Sequence, residues 1–309
     1  MRTRPLGKTG LQVSALSYGA SSLGSVFRPI EESEGIRAVH TALDLGINFI
    51  DVSPYYGLTR AETVLGKALA TVPREAYTLA TKVGRYGKDH FDFSAARVTA
   101  SVDESLQRLG VETIDLIQCH DIEFGSLDQV VEETIPALRR LQAQGKVRFV
   151  GITGYPLKIF QEVLERTPVD TILSYCRCSL NDTALDGLIP FLQEKQVGII
   201  NASPLSMGLL TERGTPDWHP APEPLKAACR QAAAYCRARG TDIAQLALQF
   251  AVAHPAIATT LVGTASPENI RKNVAWIASP PDPELLTEVR AILKPVQDMT
   301  WPSGRPENN

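Results

Sequence analysis

Four residues able to hold or move a proton stand where short apolar runs give way to loop residues. Asp51 closes the run Asn48-Phe-Ile50, and Tyr56 follows five residues on, within the turn signals Pro54 and Gly57. Lys82 lies near the end of the run Thr78–Val83, and His120 directly follows Ile114–Cys119. A lone aspartate in such a place caps a helix more often than it reacts, and a lone lysine or histidine at a strand end is usually a satisfied surface group. Four titratable groups at the ends of three successive strands form a constellation instead. A phenol with its ordinary pKa near 10 is a poor acid or base at neutral pH. An ammonium about 4 Å away, at an effective dielectric of ~20, favours the phenolate by roughly 4 kcal/mol, or ~3 pKa units at most. Tyr56 beside Lys82 is therefore a candidate proton-transfer group, with Asp51 pairing Lys82 and His120 orienting a reacting oxygen.

Positioning these groups requires a regular succession of strands. Apolar runs recur at Val13–Gly19, Asn48–Val52, Thr78–Val83, Ile114–Cys119, Val147–Ile152, Thr171–Tyr175, Gly198–Ala202 and Thr260–Val262. Helical patterns fill the gaps, among them 31–45, 95–109 and 127–144, with Ser94 as an N-cap and Gly110 and Gly145 as C-terminal stops. Strands alternating with helices pair in parallel. Eight such units without an intervening linker predict one (β/α)8 TIM barrel over residues 1–309, with a short N-terminal hairpin at Pro5–Leu11 and an extra helix at 282–294. A doubly wound sheet would carry GxGxxG after its first strand, and the GASSLG found there does not fit. Barrel chemistry sits at the C-terminal ends of the strands, where the four groups fall.

Composition narrows the function classes. The chain has 309 residues, 44% of them hydrophobic, and a net charge of −3, so no basic surface for nucleic acid or an anionic membrane is expected. Five cysteines without a CxxC pair point to a reducing, cytoplasmic setting rather than a disulfide framework, and no metal site is expected. The N-terminus lacks the apolar stretch of a signal peptide, and no run reaches membrane-spanning length.

The stretch Gly46-INFI-Asp51-VSPY-Tyr56-Gly57, with Lys82 and His120, resembles the catalytic tetrad pattern of the aldo-keto reductase superfamily. The likeness runs from RPLGKTGLQVSALSYG to the C-terminus. It implies hydride transfer with a nicotinamide cofactor, and Tyr56 rather than Tyr55 as the catalytic tyrosine, because Gly57 follows it. It also implies cofactor contacts at Gly19, Ser21, Asp51, Thr153 and Tyr175. The loop NASPLSMGLL adds Ser203, Leu205 and Ser206, and the segment VGTASPENIRKNV adds Gly263, Thr264, Asn269 and Asn273. NADP-dependent members place two basic residues where Gly263 and Asn269 stand here, so NAD is the expected cofactor, although Arg271 and Lys272 lie close. Ala202 stands where many members have an aromatic residue against the nicotinamide, and Tyr175 is the candidate substitute. SLND, PDWHPA and TWPSG resemble a branch that oxidises aldoses at C1 to lactones. The implied partner is a small aldose, with no nucleic acid, membrane or obligate protein partner. Arg177 and Cys178 replace a His-Tyr pair expected in that branch, which bears on the sugar preferred. A second class within the superfamily, the cofactor-binding regulatory subunit without turnover, is disfavoured by the intact tetrad.

Overall fold

Runs such as TLATKV and IDLIQC are rich in β-branched and large apolar residues, and every residue in them is buried. They form strands of a barrel in the computed structural model, which describes residues 1–26 and 28–309. In chain order the strands are β1 (Thr3–Pro5), β2 (Gln12–Ser14), β3 (Leu16–Gly19), β4 (Phe49–Asp51), β5 (Thr78–Val83), β6 (Ile114–Cys119), β7 (Val147–Gly154), β8 (Thr171–Tyr175), β9 (Gly198–Ala202) and β10 (Thr259–Gly263). Strands β3 to β10 pair in parallel and close on themselves through β10 and β3. Helices follow each barrel strand, and Pro283–Leu293 is the extra helix after the eighth unit. No helix among the described residues is long and apolar enough to cross a membrane.

The expected first strand, Val13–Gly19, serves two sheets. Its first part pairs antiparallel with β1, Thr3 opposite Ser14, and the chain turns at Ala15 before joining the barrel as β3. The hairpin is accordingly wider than Pro5–Leu11, with Gly7–Thr9 forming a 3-10 turn at its tip. Leu6, Leu11 and Val13 from this hairpin pack with the inward side chains Phe49, Ala80, Leu116, Leu173, Ile200 and Leu261. They plug the N-terminal end of the barrel and leave the opposite end for chemistry.

Local signals act as read. The Ser94 hydroxyl accepts from the Arg97 amide, and Gly110 and Gly145 end their helices in the left-handed region at φ 67° and 78°. The stretch 127–144 is less regular than its pattern. It runs as Leu127–Gln129, a π segment Val130–Thr134, then Ile135–Ala143. Pro136 accounts for this: its ring excludes a carbonyl four residues back and it donates no hydrogen bond, so the ladder shifts to i→i−5 just before it.

Candidate active site

Side chains alternate across a strand, so the inward residues Phe49, Ala80, Leu116, Leu173 and Leu261 fix which later residues reach the rim. Two steps on in each strand stand Asp51, Lys82, Gln118, Tyr175 and Gly263. The register aligns Asp51 with Gly19, Lys82 with Gln118, Tyr175 with Ala202 and Gly263 with Gly19. His120, immediately past β6, and Thr153 in β7 complete the ring.

The four groups picked out by spacing meet. Lys82 Nζ forms an ion pair with Asp51 Oδ1, donates to the Val52 carbonyl at 2.9 Å and lies 3.4 Å from the Tyr56 hydroxyl. Gln118 Nε2 donates to the second Asp51 oxygen at 2.8 Å, so both oxygens of that carboxylate are engaged. The Tyr56 and His120 rings meet edge-on with centroids 5.7 Å apart. Gly57 explains the Tyr-Gly step: at φ 62° it lies against the Gly24 backbone, where a side chain would overlap the Gly24 carbonyl. That contact holds the loop that aims Tyr56.

Burial and charge compete within this cluster. Burial pushes the Tyr56 phenol up, and the pull of Lys82 in the other direction does not overcome it, so the phenol stands above its ordinary value. The expectation of a lowered value weighed the ammonium and its offset by Asp51 but not burial. Burial lowers Lys82, but Asp51 and Tyr56 more than offset it and the ammonium keeps its proton. Burial holds His120 down to about 3, so the imidazole is neutral. Ser53 Oγ lies 3.0 Å from its Nδ1, and the Asp121 carboxylate 3.6 Å from its Nε2. The negative charge beside Nε2 favours the hydrogen there, which turns an N–H toward the rim.

The residues read as cofactor contacts fall into four groups. Gly19 and Gly263 are neighbours at the ends of β3 and β10, and the Ser21 hydroxyl borders them. A Cβ added at Gly263 would lie 3.1 Å from both the Gly19 carbonyl oxygen and Ser21 Oγ, so these glycines leave a cradle of bare backbone beside Asp51. Thr264 and Asn273 line one small cavity with Tyr18, whose hydroxyl donates to the Thr264 carbonyl at 2.8 Å, while Asn269 is exposed at the start of helix Pro267–Trp276. Ser203, Leu205 and Ser206 lie in the loop after β9, where Ser203, Ser206 and Met207 all have positive φ. The Ser206 hydroxyl turns inward, donating to Asn181 Oδ1 at 2.7 Å and bonding Ser179. Thr153 is buried against Asp121, and the Tyr175 hydroxyl donates to Glu123 at 3.0 Å. Cys178 packs into the layer between strands and helices and does not line the rim, whereas Arg177 pairs with Asp182 and lies 5.2 Å from the Tyr155 ring centroid.

Sequence reading missed several groups. Gln118 looks like an interior strand residue until the register brings it to Asp51. PDWHPA and TWPSG were singled out without a contact, and the fold brings them together. His219 Nε2 bonds the Ser206 carbonyl at 3.0 Å, its ring meets Trp301 edge-on, and Trp301 stacks on Tyr155. Beneath them Glu123 is fully buried, accepting from the Tyr155 amide, the Tyr175 hydroxyl and the Ser303 hydroxyl. Gly304, at φ 80°, is pressed against the Glu123 carbonyl where any Cβ would overlap. The C-terminal tail is thereby strapped over one side of the rim.

Burial, reinforced by Asp121, pushes Glu123 up to about 8 from an ordinary 4.5. The folded protein then holds a proton that the unfolded chain has lost, so this group's contribution to stability is complete below about pH 4.5 and fades as pH rises toward 8. Thermal stability followed from about pH 5 to 8 is expected to decline less in Glu123→Gln than in the parent protein, and equal declines would contradict this.

Residues 15–294 match the model of the Aldo/keto reductase family, and the chain belongs to this family of oxidoreductases. It is 54% identical over 314 residues to an L-galactose dehydrogenase from Arabidopsis thaliana, covering 99% of this chain and 98% of that protein. It is 34% identical over 255 residues to a D-arabinose 1-dehydrogenase from Saccharomyces cerevisiae, covering 78% of this chain and 75% of that one. Among solved structures, the holo form of an aldo-keto reductase from Bacillus halodurans superposes with a TM-score of 0.80 at 30% identity, with 98% of each chain covered. Enzymes of the family work with nicotinamide cofactors, and the glycine cradle beside Asp51 suits one.

Proposed function

We propose that this protein is an NAD-dependent aldose 1-dehydrogenase that oxidises L-galactose at C1 to the galactonolactone. The observation that carries the chemistry is the Tyr56 hydroxyl 3.4 Å from Lys82 Nζ, itself buried on Asp51 at the rim of the barrel. The substrate reading is supported by 54% identity, over nearly the whole chain, to an L-galactose dehydrogenase. A nicotinamide bound over the cradle supplies the hydride acceptor. The side chains manage the proton and the oxygen. The phenolate form of Tyr56, a minority at neutral pH because burial holds the phenol up, takes the proton of the C1 hydroxyl, and Lys82 stabilises its charge before that transfer. Asp51 and Gln118 hold Lys82 in place, and the His120 Nε2–H donates to the C1 oxygen as it becomes a carbonyl. Tyr175 stands level with Ala202 on the neighbouring strand, which supports it as the aromatic wall missing at Ala202. Five free, buried cysteines among the described residues support a cytoplasmic setting.

The preference for NAD rests on charge. Gly263 offers no side chain and Asn269 no cation to a 2′-phosphate. Lys272 is drawn to Asp242 at 3.4 Å and lies over the Trp276 ring at 4.4 Å. With Lys272 so engaged, Arg271 is the one nearby cation without an ion pair among the described residues, and a doubly charged phosphate there finds fewer of the charge-assisted contacts that favour it. Initial rates with L-galactose, L-fucose, D-arabinose and L-gulose, each with NAD and NADP, are expected to give the highest kcat/KM for L-galactose with NAD. The NAD advantage should be at least roughly tenfold, the loss of about one charged contact. Comparable values for the two cofactors would overturn the cofactor choice. L-Fucose or D-arabinose at the head of the panel would assign a related aldose 1-dehydrogenase instead.

A further inference from the structure

Beside His120 lies a buried ion pair that the proton transfer does not use. Asp121 takes φ 53°, a conformation unusual for a residue with a side chain. Thr153 Oγ1 donates to its Oδ1 at 3.2 Å and accepts from its amide at 2.9 Å, locking the carboxylate in one orientation. The other oxygen, Oδ2, pairs with Arg85 and lies 3.6 Å from His120 Nε2. Arg85 in turn lies over the Tyr55 ring, 4.1 Å from its centroid. Burial raises Asp121, but the Arg85 guanidinium, which also donates to it, and the Lys82 ammonium hold it below its ordinary value, so it is an anion beside His120. Arg85 Nη1 serves Asp121, its Nε is enclosed without an acceptor, and its Nη2 has none among the described residues, so the guanidinium has a donor to spare beside the carboxylate.

An ion pair this buried is weak evidence for stability, since its desolvation offsets most of its attraction. An unmatched guanidinium donor next to a fixed carboxylate is instead suited to a ligand group that both donates and accepts. A hydroxyl does both. With Nε2 and Oδ2 3.6 Å apart, two ligand oxygens bound to them can lie as close together as those on adjacent carbons.

We propose that Arg85 and Asp121 form the seat of the hydroxyl on C2, the carbon next to the one oxidised, with Asp121 Oδ2 accepting its hydrogen and Arg85 donating to its oxygen. The pair makes the enzyme select 2-hydroxylated sugars over their 2-deoxy counterparts. This inference rests on the aldose reading above. It assigns no proton-transfer role to either residue.

The test compares kcat/KM for L-galactose and 2-deoxy-L-galactose in the parent enzyme, Asp121→Asn and Arg85→Gln, with NAD binding followed separately by tryptophan fluorescence. The parent is expected to prefer L-galactose by roughly 100-fold, as a site built to hydrogen-bond a hydroxyl rejects a ligand lacking it. In Asp121→Asn the ratio should collapse to less than about fivefold, mostly through KM for L-galactose, with NAD affinity retained. Arg85→Gln should collapse it likewise, and supplies the result if Asp121→Asn does not fold. An active parent that fails to discriminate, or a ratio unchanged in the variants, overturns the C2 seat alone. A parent that binds NAD but oxidises no aldose overturns the aldose reading, and the seat with it.

Discussion

Tyr56→Phe is expected to lower kcat for aldose oxidation by about a thousandfold, within the range lost when a positioned proton-transfer group is removed. NAD affinity should stay within about twofold, because the cradle of Gly19 and Gly263 lies on other strands and the ring is kept. Substrate KM should change little, since the phenol's contribution is made as the proton leaves rather than in the resting complex. Stopped-flow or steady-state rates with L-galactose, together with a fluorescence titration of NAD, measure both quantities. A variant retaining more than about a tenth of parent turnover would remove Tyr56 from the proton transfer assigned here.

The second large effect falls on Lys82. Its ammonium is only 2% exposed and its partner Asp51 3% exposed, so neither charge is relieved by water. Lys82→Met leaves Asp51 a buried carboxylate with Gln118 as its one side-chain partner among the described residues, and should destabilise the fold by about 3–5 kcal/mol. Chemical denaturation measures this directly. Pairing the change with Asp51→Asn removes the orphaned charge and should recover much of the loss. Turnover should not recover, because the phenolate still lacks its cation. This split between stability and activity separates the two roles of Lys82. Recovery of both together would show that the lysine only holds the strand ends in place.

Much of this site was legible in the sequence because barrel geometry converts strand ends into one surface. Asp51, Lys82 and His120 each stand at or just past the end of an apolar run, and parity along the strands carries Tyr175, Ala202 and Gly263 to the same rim. Ser94, Gly110 and Gly145 mark helix ends by local chemistry that tertiary packing leaves intact. What escaped reading depends on burial or on distant neighbours. Tyr56 was expected to be lowered by Lys82, but a loop tyrosine gives no sign of how deeply it will be enclosed, and enclosure decides the direction. Gln118 and Asp51 are 67 residues apart and meet only once the register is set. Glu123 looks like a surface residue of a loop, and the tail that buries it arrives from the far end of the chain. Ser206 reads from its motif as a cofactor contact, yet which way its hydroxyl turns follows from Asn181 and Ser179 on a different loop.

The account turns on Lys82 lowering the proton affinity of Tyr56 below what burial alone would set. Ultraviolet difference titration of the parent protein against Tyr56→Phe isolates the ionisation of this one phenol, and the same subtraction can be made in the Lys82→Met background. A buried ammonium 3.4 Å away lowers the phenol against the upward push of burial, so its loss should move the ionisation to higher pH by at least about one unit. An ionisation at the same pH in both backgrounds would contradict the coupling, and with it the use of Tyr56 as the base.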